Sequence, residues 1–130
     1  MEELTRNEYY VRGSTSLLDA IGKTIVSMDR EVSNKVLFVI TTDGYENSSV
    51  EFTKSQIKNL IKNHNWEFIF LGADIDSYNE ASSIGIRRNN IANYKKTTDG
   101  VRDMYTSVTK ASRMYRHSEK LDETWKEDLE

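Results

Sequence analysis

Carboxylates follow the two most apolar stretches of this sequence. The stretch VLFVITT, which begins at Val36, leads directly into Asp43, and the stretch WEFIFLG is followed by Asp74 and Asp76. An unbroken apolar run that ends in turn residues is typical of a strand buried on both faces of a parallel sheet. Open α/β sheets bind their ligands at the carboxyl ends of such strands. We therefore expect Asp43 at an edge of the sheet where a metal ion or another ligand would be held.

Helix signals surround these two predicted strands. The capping residues that we identify are Ser16 with Asp19, Thr53 with Gln56, and Asp76. A weaker third strand is predicted at residues 91–94, and a long helix is predicted to begin at Asp99. Helices and strands therefore alternate along the chain. This order predicts an α/β domain with three layers, α-β-α, built on a parallel Rossmann-like sheet of three strands.

Composition excludes several functional classes. Lys and Arg together number 18 against 21 for Asp and Glu, and they are scattered, so a nucleic-acid binder is not expected. Cysteine is absent, which excludes disulfides, thiolate metal sites and a cysteine nucleophile. No apolar run is long enough to span a bilayer, and the first residues show no apolar signal segment. We therefore expect a cytoplasmic protein with no membrane contact.

Two segments together resemble the von Willebrand factor A (vWA) domain family. A Gly-Ser-Thr loop leads into the first helix, and the buried strand that follows ends in Thr-Asp-Gly. In that family a Gly-x-Thr-x-Leu-x-x-Ala-Leu stretch presents a threonine hydroxyl to a divalent cation, and an aspartate before a glycine ends the next strand. The matching positions are Gly13, Thr15, Leu17, Ala20 and Ile21 for the first motif, and Asp43 and Gly44 for the second. The resemblance implies a vWA-like domain over residues 1–116, truncated on its N-terminal side.

The metal-ion-dependent adhesion site (MIDAS) of that family begins with an Asp-x-Ser-x-Ser motif, which this sequence lacks. In the family an acidic side chain of a partner completes the metal coordination, so the resemblance implies a non-catalytic protein–protein interaction module. Only Thr15 and Asp43 match the family's ligands. Mg²⁺ prefers near-octahedral oxygen coordination, and two such ligands would leave most of its shell to water. Mg²⁺ is therefore expected to bind weakly or not at all, and the alternative is that both residues only stabilise their loops.

An enzymatic alternative starts from the Asp-x-Asp pair after the second apolar stretch. It resembles the nucleophile motif of haloacid-dehalogenase-like, Mg²⁺-dependent phosphatases, with Asp74 as nucleophile and Asp76 as acid–base. Such an enzyme needs a downstream lysine and a further acidic pair at strand ends. The one predicted strand downstream ends in KKTTD, without an acidic pair. We favour Asp76 as a helix cap and, because no other catalytic motif is present, predict that the protein is not an enzyme.

The last segment, residues 117–130, is predicted to be an acidic helical tail. Its large apolar residues Leu121, Trp125 and Leu129 recur at intervals of four. Two interpretations stay open for this pattern. The tail is a frayed extension of the last helix, or its apolar stripe docks on a partner or on a second copy of the chain.

The resemblance implies that the first strand of the family's sheet is missing. Its absence would leave the strand from Val36 to Thr41 as a long apolar edge without the charges or prolines that discourage pairing. Two copies could pair there about a two-fold axis to form a homodimer. The local alternative is that Tyr9 to Val11 folds back as an extra strand. We favour the homodimer.

Overall fold

The computed structural model describes residues 8–13, 16–28, 36–43, 50–64, 66–73, 76–118 and 121–129. Within these ranges, four strands and four helices alternate. The strands are β1 (Glu8–Gly13), β2 (Leu37–Thr42), β3 (Glu67–Gly72) and β4 (Ile91–Asn93). The helices are α1 (Leu17–Met28), α2 (Lys54–Asn63), α3 (Ser77–Ser82) and α4 (Thr98–Ser118), with short 3-10 helices at Arg88–Asn90 and Glu123–Lys126. This is the α/β Rossmann-like arrangement that the alternation of patterns predicts.

The sheet has four parallel strands in the order β1-β2-β3-β4, one strand more than predicted. β2 pairs along its whole length with β1 on one side and with β3 on the other. The predicted homodimer interface along the strand edge from Val36 to Thr41 is therefore wrong, because β1 already pairs with that edge. The local alternative is confirmed, since Tyr9 to Val11 lies within β1. A parallel β1 ends at Gly13, beside the start of α1, so a short N-terminal segment is long enough to reach both places.

Helices cover both faces of the sheet and complete the three layers. Strands that follow one another in sequence and in space, joined by crossovers of one hand, place all their connecting helices on one face. Accordingly α1, α2 and α3 contribute to the apolar cluster that contains Phe38 and Ile40, whereas α4 contributes to the cluster that contains Leu37 and Val39 on the other face. The alternation of side chains along β2 separates these two clusters. None of the described helices is both long and apolar enough to cross a bilayer.

Local capping chemistry sets several helix starts. The predicted capping box at α2 is confirmed, since the Thr53 hydroxyl accepts from the Gln56 N–H and the Gln56 side chain accepts from the Thr53 N–H. Asp76 caps α3 by accepting from the Asn79 N–H at 3.2 Å. Satisfying these otherwise unpaired N–H groups is what favours such residues before a helix. The long last helix begins at Thr98, one residue before the predicted start.

The C-terminal segment folds back onto the domain. Leu121 and Trp125 are buried in the cluster beneath α4, and the Trp125 indole donates to the Asn89 carbonyl at 2.7 Å. The ammonium of Lys126 donates to the carbonyl oxygens of Arg88 and Ile91 and to the hydroxyl of Tyr78. Within the described residues, the apolar stripe is thus neither a frayed helical extension nor open to a second molecule. It covers the outer edge of β4.

Candidate functional site

A cleft opens beside β1, on the face of the sheet that α4 covers. The cluster beneath α4 draws its strand residues from β2, β3 and β4, so the helix leaves the neighbouring surface of β1 open. The resulting cavity has a volume of about 270 Å³. We call it the β1–α4 cleft, and its lining residues are Tyr10, Arg12, Val39, Thr41, Tyr94, Val101, Met104, Tyr105 and Val108.

The walls of the cleft follow from strand register and helix periodicity. Tyr10 lies beside Val39, and Arg12 lies beside Thr41, so alternate residues of the two strands face the cleft together. The α4 residues at positions 101, 104, 105 and 108 are spaced as one helical stripe. Val39, Met104 and Val108 are buried and form an apolar floor, whereas Tyr10 and Tyr105 are 53% and 55% exposed.

Charged groups gather at the carboxyl end of the cleft. Lys96 Nζ lies 3.5 Å from Asp43 Oδ2, and both side chains are about half exposed. Burial raises the pKa of the Tyr94 phenol, and the nearby charge of Asp43 raises it further, while Arg12 and Lys96 act in the opposite direction. Tyr94 therefore stays protonated at neutral pH and can donate a hydrogen bond.

Arg12 is the charged residue of the cleft that stands open to a ligand. Its side chain is exposed and lines the cavity at the end of β1. The guanidinium makes no hydrogen bond or ion pair with any residue that the structure describes. A planar guanidinium presents parallel N–H donors that match a carboxylate or a phosphate. The cleft thus combines an apolar floor, aromatic rims and one guanidinium that has no partner in the described part of the chain.

The predicted metal ligands have different outcomes. Asp43 lies directly after β2, as predicted, and faces Lys96. Thr15 and Gly44, together with the phosphatase candidate Asp74, lie outside the described residues. In the described part of the chain, no three His, Asp or Glu side chains converge in a way that would hold a metal ion. The metal site at Thr15 and Asp43 therefore stays a prediction, with the Lys96 ammonium 3.5 Å from the carboxylate of Asp43, the one of these two residues that the structure describes.

Other cleft residues escaped sequence analysis for an identifiable reason. The sequence does not single out Tyr10 or Tyr105 as exposed, yet both side chains are about half exposed. Arg12 carries no motif of its own, because it lies in a short strand among residues of ordinary type. The available signal was position, since Arg12 and Tyr94 lie at or just after the ends of strands that the sheet brings together.

A larger depression lies at the opposite end of β3. It has a volume of about 420 Å³ and is lined by Trp66, Glu67 and Arg87 among others. The Arg87 guanidinium there is paired with Glu67 at 3.0 Å. The β1–α4 cleft is the stronger candidate, because Arg12 and Thr41 extend it toward the carboxyl ends of β1 and β2, and the Arg12 guanidinium has no partner among the described residues.

Comparison with known proteins does not name a family. No protein-family model, curated protein or solved structure matches this chain. The resemblance to vWA domains rests on the motifs around Thr15 and Asp43.

Proposed function

We propose that this chain is a non-catalytic protein-binding module of the vWA type, whose partner docks in the β1–α4 cleft. The observation that carries the proposal is the pair of half-exposed tyrosines, Tyr10 and Tyr105, on either side of an apolar floor. Tyrosine is enriched in protein interfaces because its ring offers apolar area and its hydroxyl offers a hydrogen bond. Support for the vWA type comes from the motif around Gly13 and from the position of Asp43 directly after β2.

The cleft chemistry favours binding over catalysis. A general base at neutral pH needs a pKa near that pH, whereas the raised pKa of Tyr94 keeps its phenol protonated. Asp43 is partly exposed and faces the Lys96 ammonium at 3.5 Å. These groups can recognise a charged partner, and they do not form a proton-transfer pair. Metal is expected to contribute little to this binding, because Lys96 already supplies a positive charge beside Asp43.

Self-association, as a part of this proposal, uses the outer edge of β1. Of the two edge strands of the described sheet, β4 is covered by the tail through Lys126, whereas β1 pairs only with β2. An open strand edge can pair with the same edge of a second copy. The two clefts would then face each other across one continuous sheet.

A selection from a random-peptide display library tests the docking site. The recovered peptides are expected to bind the wild-type chain and to lose binding to Tyr105→Asp, because that change places a charge at the rim of the cleft. The matched control is Val26→Asp, which alters an exposed apolar residue of α1 on the opposite face of the sheet. Circular dichroism and thermal melting of both variants establish that they are folded.

The proposal fails if the recovered peptides bind both variants as they bind the wild type. It also fails if Val26→Asp is the variant that loses binding, because the docking surface would then lie on the α1 face.

A further inference from the structure

The β1–α4 cleft has a shape and a charge that specify the partner more closely. We propose that the partner anchors itself through a bulky apolar side chain next to a carboxylate, with the apolar group in the cleft and the carboxylate on Arg12. This inference rests on the proposed function and deepens it. The partner is thus a protein that presents an acidic segment with an exposed aromatic or large aliphatic residue.

The volume of the cleft suits one side chain. Drug-sized ligands occupy pockets of about 300–1,000 Å³, and this cavity of about 270 Å³ lies below that range. A single aromatic or leucine-sized side chain, carried by a protein segment that stays outside, fits the space better than a whole cofactor.

The residues that line the cleft determine which kind of partner side chain can enter it. Val39, Met104 and Val108 form a floor that is buried and apolar, so a polar group placed there would lose its hydration without gaining a partner. Tyr10 and Tyr105 stand at the rims and can contact an aromatic ring in tilted or stacked geometry. The floor and rims together favour an aromatic residue.

The charge at the end of the cleft determines which group of the partner lies next to its aromatic residue. Lys96 is engaged with Asp43 at 3.5 Å, whereas the Arg12 guanidinium has no partner among the described residues. Arginine and a carboxylate form paired, charge-assisted hydrogen bonds. Asp43 would repel an acidic ligand, but the adjacent ammonium of Lys96 offsets this negative charge. Tyr94 lines the same cavity, and its protonated phenol is a further hydrogen-bond donor.

Three blocked pentapeptides test this assignment with the full chain. The first carries phenylalanine next to glutamate among alanines, the second replaces glutamate with glutamine, and the third replaces phenylalanine with alanine. Amide chemical shifts measured by NMR are expected to move in β1 and α4 with the first peptide. Each control peptide is expected to bind about tenfold more weakly, which corresponds to about 1.4 kcal/mol.

Substitutions of Arg12 test whether this residue binds the carboxylate of the peptide. Arg12→Gln is expected to bind the first peptide as weakly as the wild type binds the glutamine peptide, and Arg12→Lys to bind at an intermediate level. The control is Arg113→Gln, which removes an equal charge from an exposed position on α4 outside the cleft. A chelator is expected to leave binding unchanged, which separates this mode from a carboxylate that completes a metal shell.

Three results would overturn the inference. In the first, the glutamine peptide binds as well as the glutamate peptide. In the second, Arg113→Gln weakens binding as much as Arg12→Gln. In the third, free N-acetylphenylalanine binds as tightly as the pentapeptide, which would assign the cleft to small acids. If library peptides bind at the cleft without a carboxylate, the anchor chemistry fails and the proposed function stands.

Discussion

Lys96 Nζ lies 3.5 Å from Asp43 Oδ2, at the point where the chain leaves β2. The lysine comes from the segment after β4, so the fold brings together two residues that are far apart in sequence. An ammonium therefore stands beside the carboxylate that the vWA resemblance assigns to a metal ion.

This ion pair leads to a prediction about metal affinity. Mg²⁺ must displace the Lys96 ammonium and keep most of its own water, so we expect binding no tighter than about 1 mM, as in the weakest carboxylate sites. Titration calorimetry with Mg²⁺ and Mn²⁺ measures it. Lys96→Gln is expected to strengthen binding several-fold by removing the competing charge. Micromolar binding that Asp43→Ala abolishes would show that further ligands exist.

Asp19 supplies a prediction about pH. Its buried carboxylate accepts the backbone N–H groups of Val50, Glu51 and Phe52, each at 2.9 Å. Burial alone would raise the pKa of Asp19, but these N–H groups and the charge of Lys23 outweigh it and hold the pKa below its ordinary value of 3.8. The ionised carboxylate thus stabilises the fold above that value, and this contribution is lost as the pH falls through the lower folded pKa.

We therefore expect Asp19→Asn to lower the melting temperature clearly at neutral pH. The difference from the wild type should narrow at the lowest pH at which the wild type still folds. Asp103→Asn, an exposed aspartate of α4, is the control and should have little effect at either pH. An Asp19→Asn effect that is equally large at both pH values would contradict the assigned role of the charge.

Trp125 supplies a prediction about the tail. The side chain is fully buried and its indole donates to Asn89, so Trp125→Ala leaves a cavity and an unpaired carbonyl. We expect a loss of about 3–5 kcal/mol in the free energy of unfolding, measured with urea. Glu123→Ala, an exposed neighbour, serves as the control. A loss below about 1 kcal/mol would mean that the tail is not docked in solution.

The sheet edge supplies a prediction about assembly. Light scattering after size exclusion at micromolar concentration is expected to give a dimer. Tyr10→Lys is expected to give a monomer, because lysine on an edge strand opposes pairing. Tyr105→Lys makes the same chemical change on α4, away from the strand edge, and should leave the dimer intact. A wild-type monomer, or a dimer that survives Tyr10→Lys unchanged, would exclude β1 as the interface.

We expect this protein to lack phosphatase activity. Asp76 caps α3 through the Asn79 N–H, which is a structural use for the residue that a phosphatase would employ as acid–base. We expect no hydrolysis of an aryl phosphate in the presence of Mg²⁺. Turnover that Asp74→Asn removes would restore the enzymatic alternative.

Several features of this protein are determined by local sequence. The apolar runs of β2 and β3 predict buried parallel strands, because a strand covered on both faces requires apolar side chains on both. The Thr53–Gln56 capping box predicts the start of α2, because it joins side chains and backbone within one helical turn. Each of these signals is contained in a few consecutive residues, so no knowledge of the rest of the chain is needed.

The tertiary structure alone decided what covers the edges of the sheet and where the cleft lies. The Tyr-Tyr-Val stretch within Glu8–Gly13 favours a strand, but that this strand pairs with β2 follows from the free edge that β2 offers it. Leu121, Trp125 and Leu129 recur at a helical interval, yet the position of Trp125 is set by its packing beneath α4 and by its hydrogen bond to the distant Asn89 carbonyl. The cleft exists because α4 lies over three strands and leaves the fourth open. Such contacts join residues that are tens of positions apart, so the local sequence around each residue does not predict them.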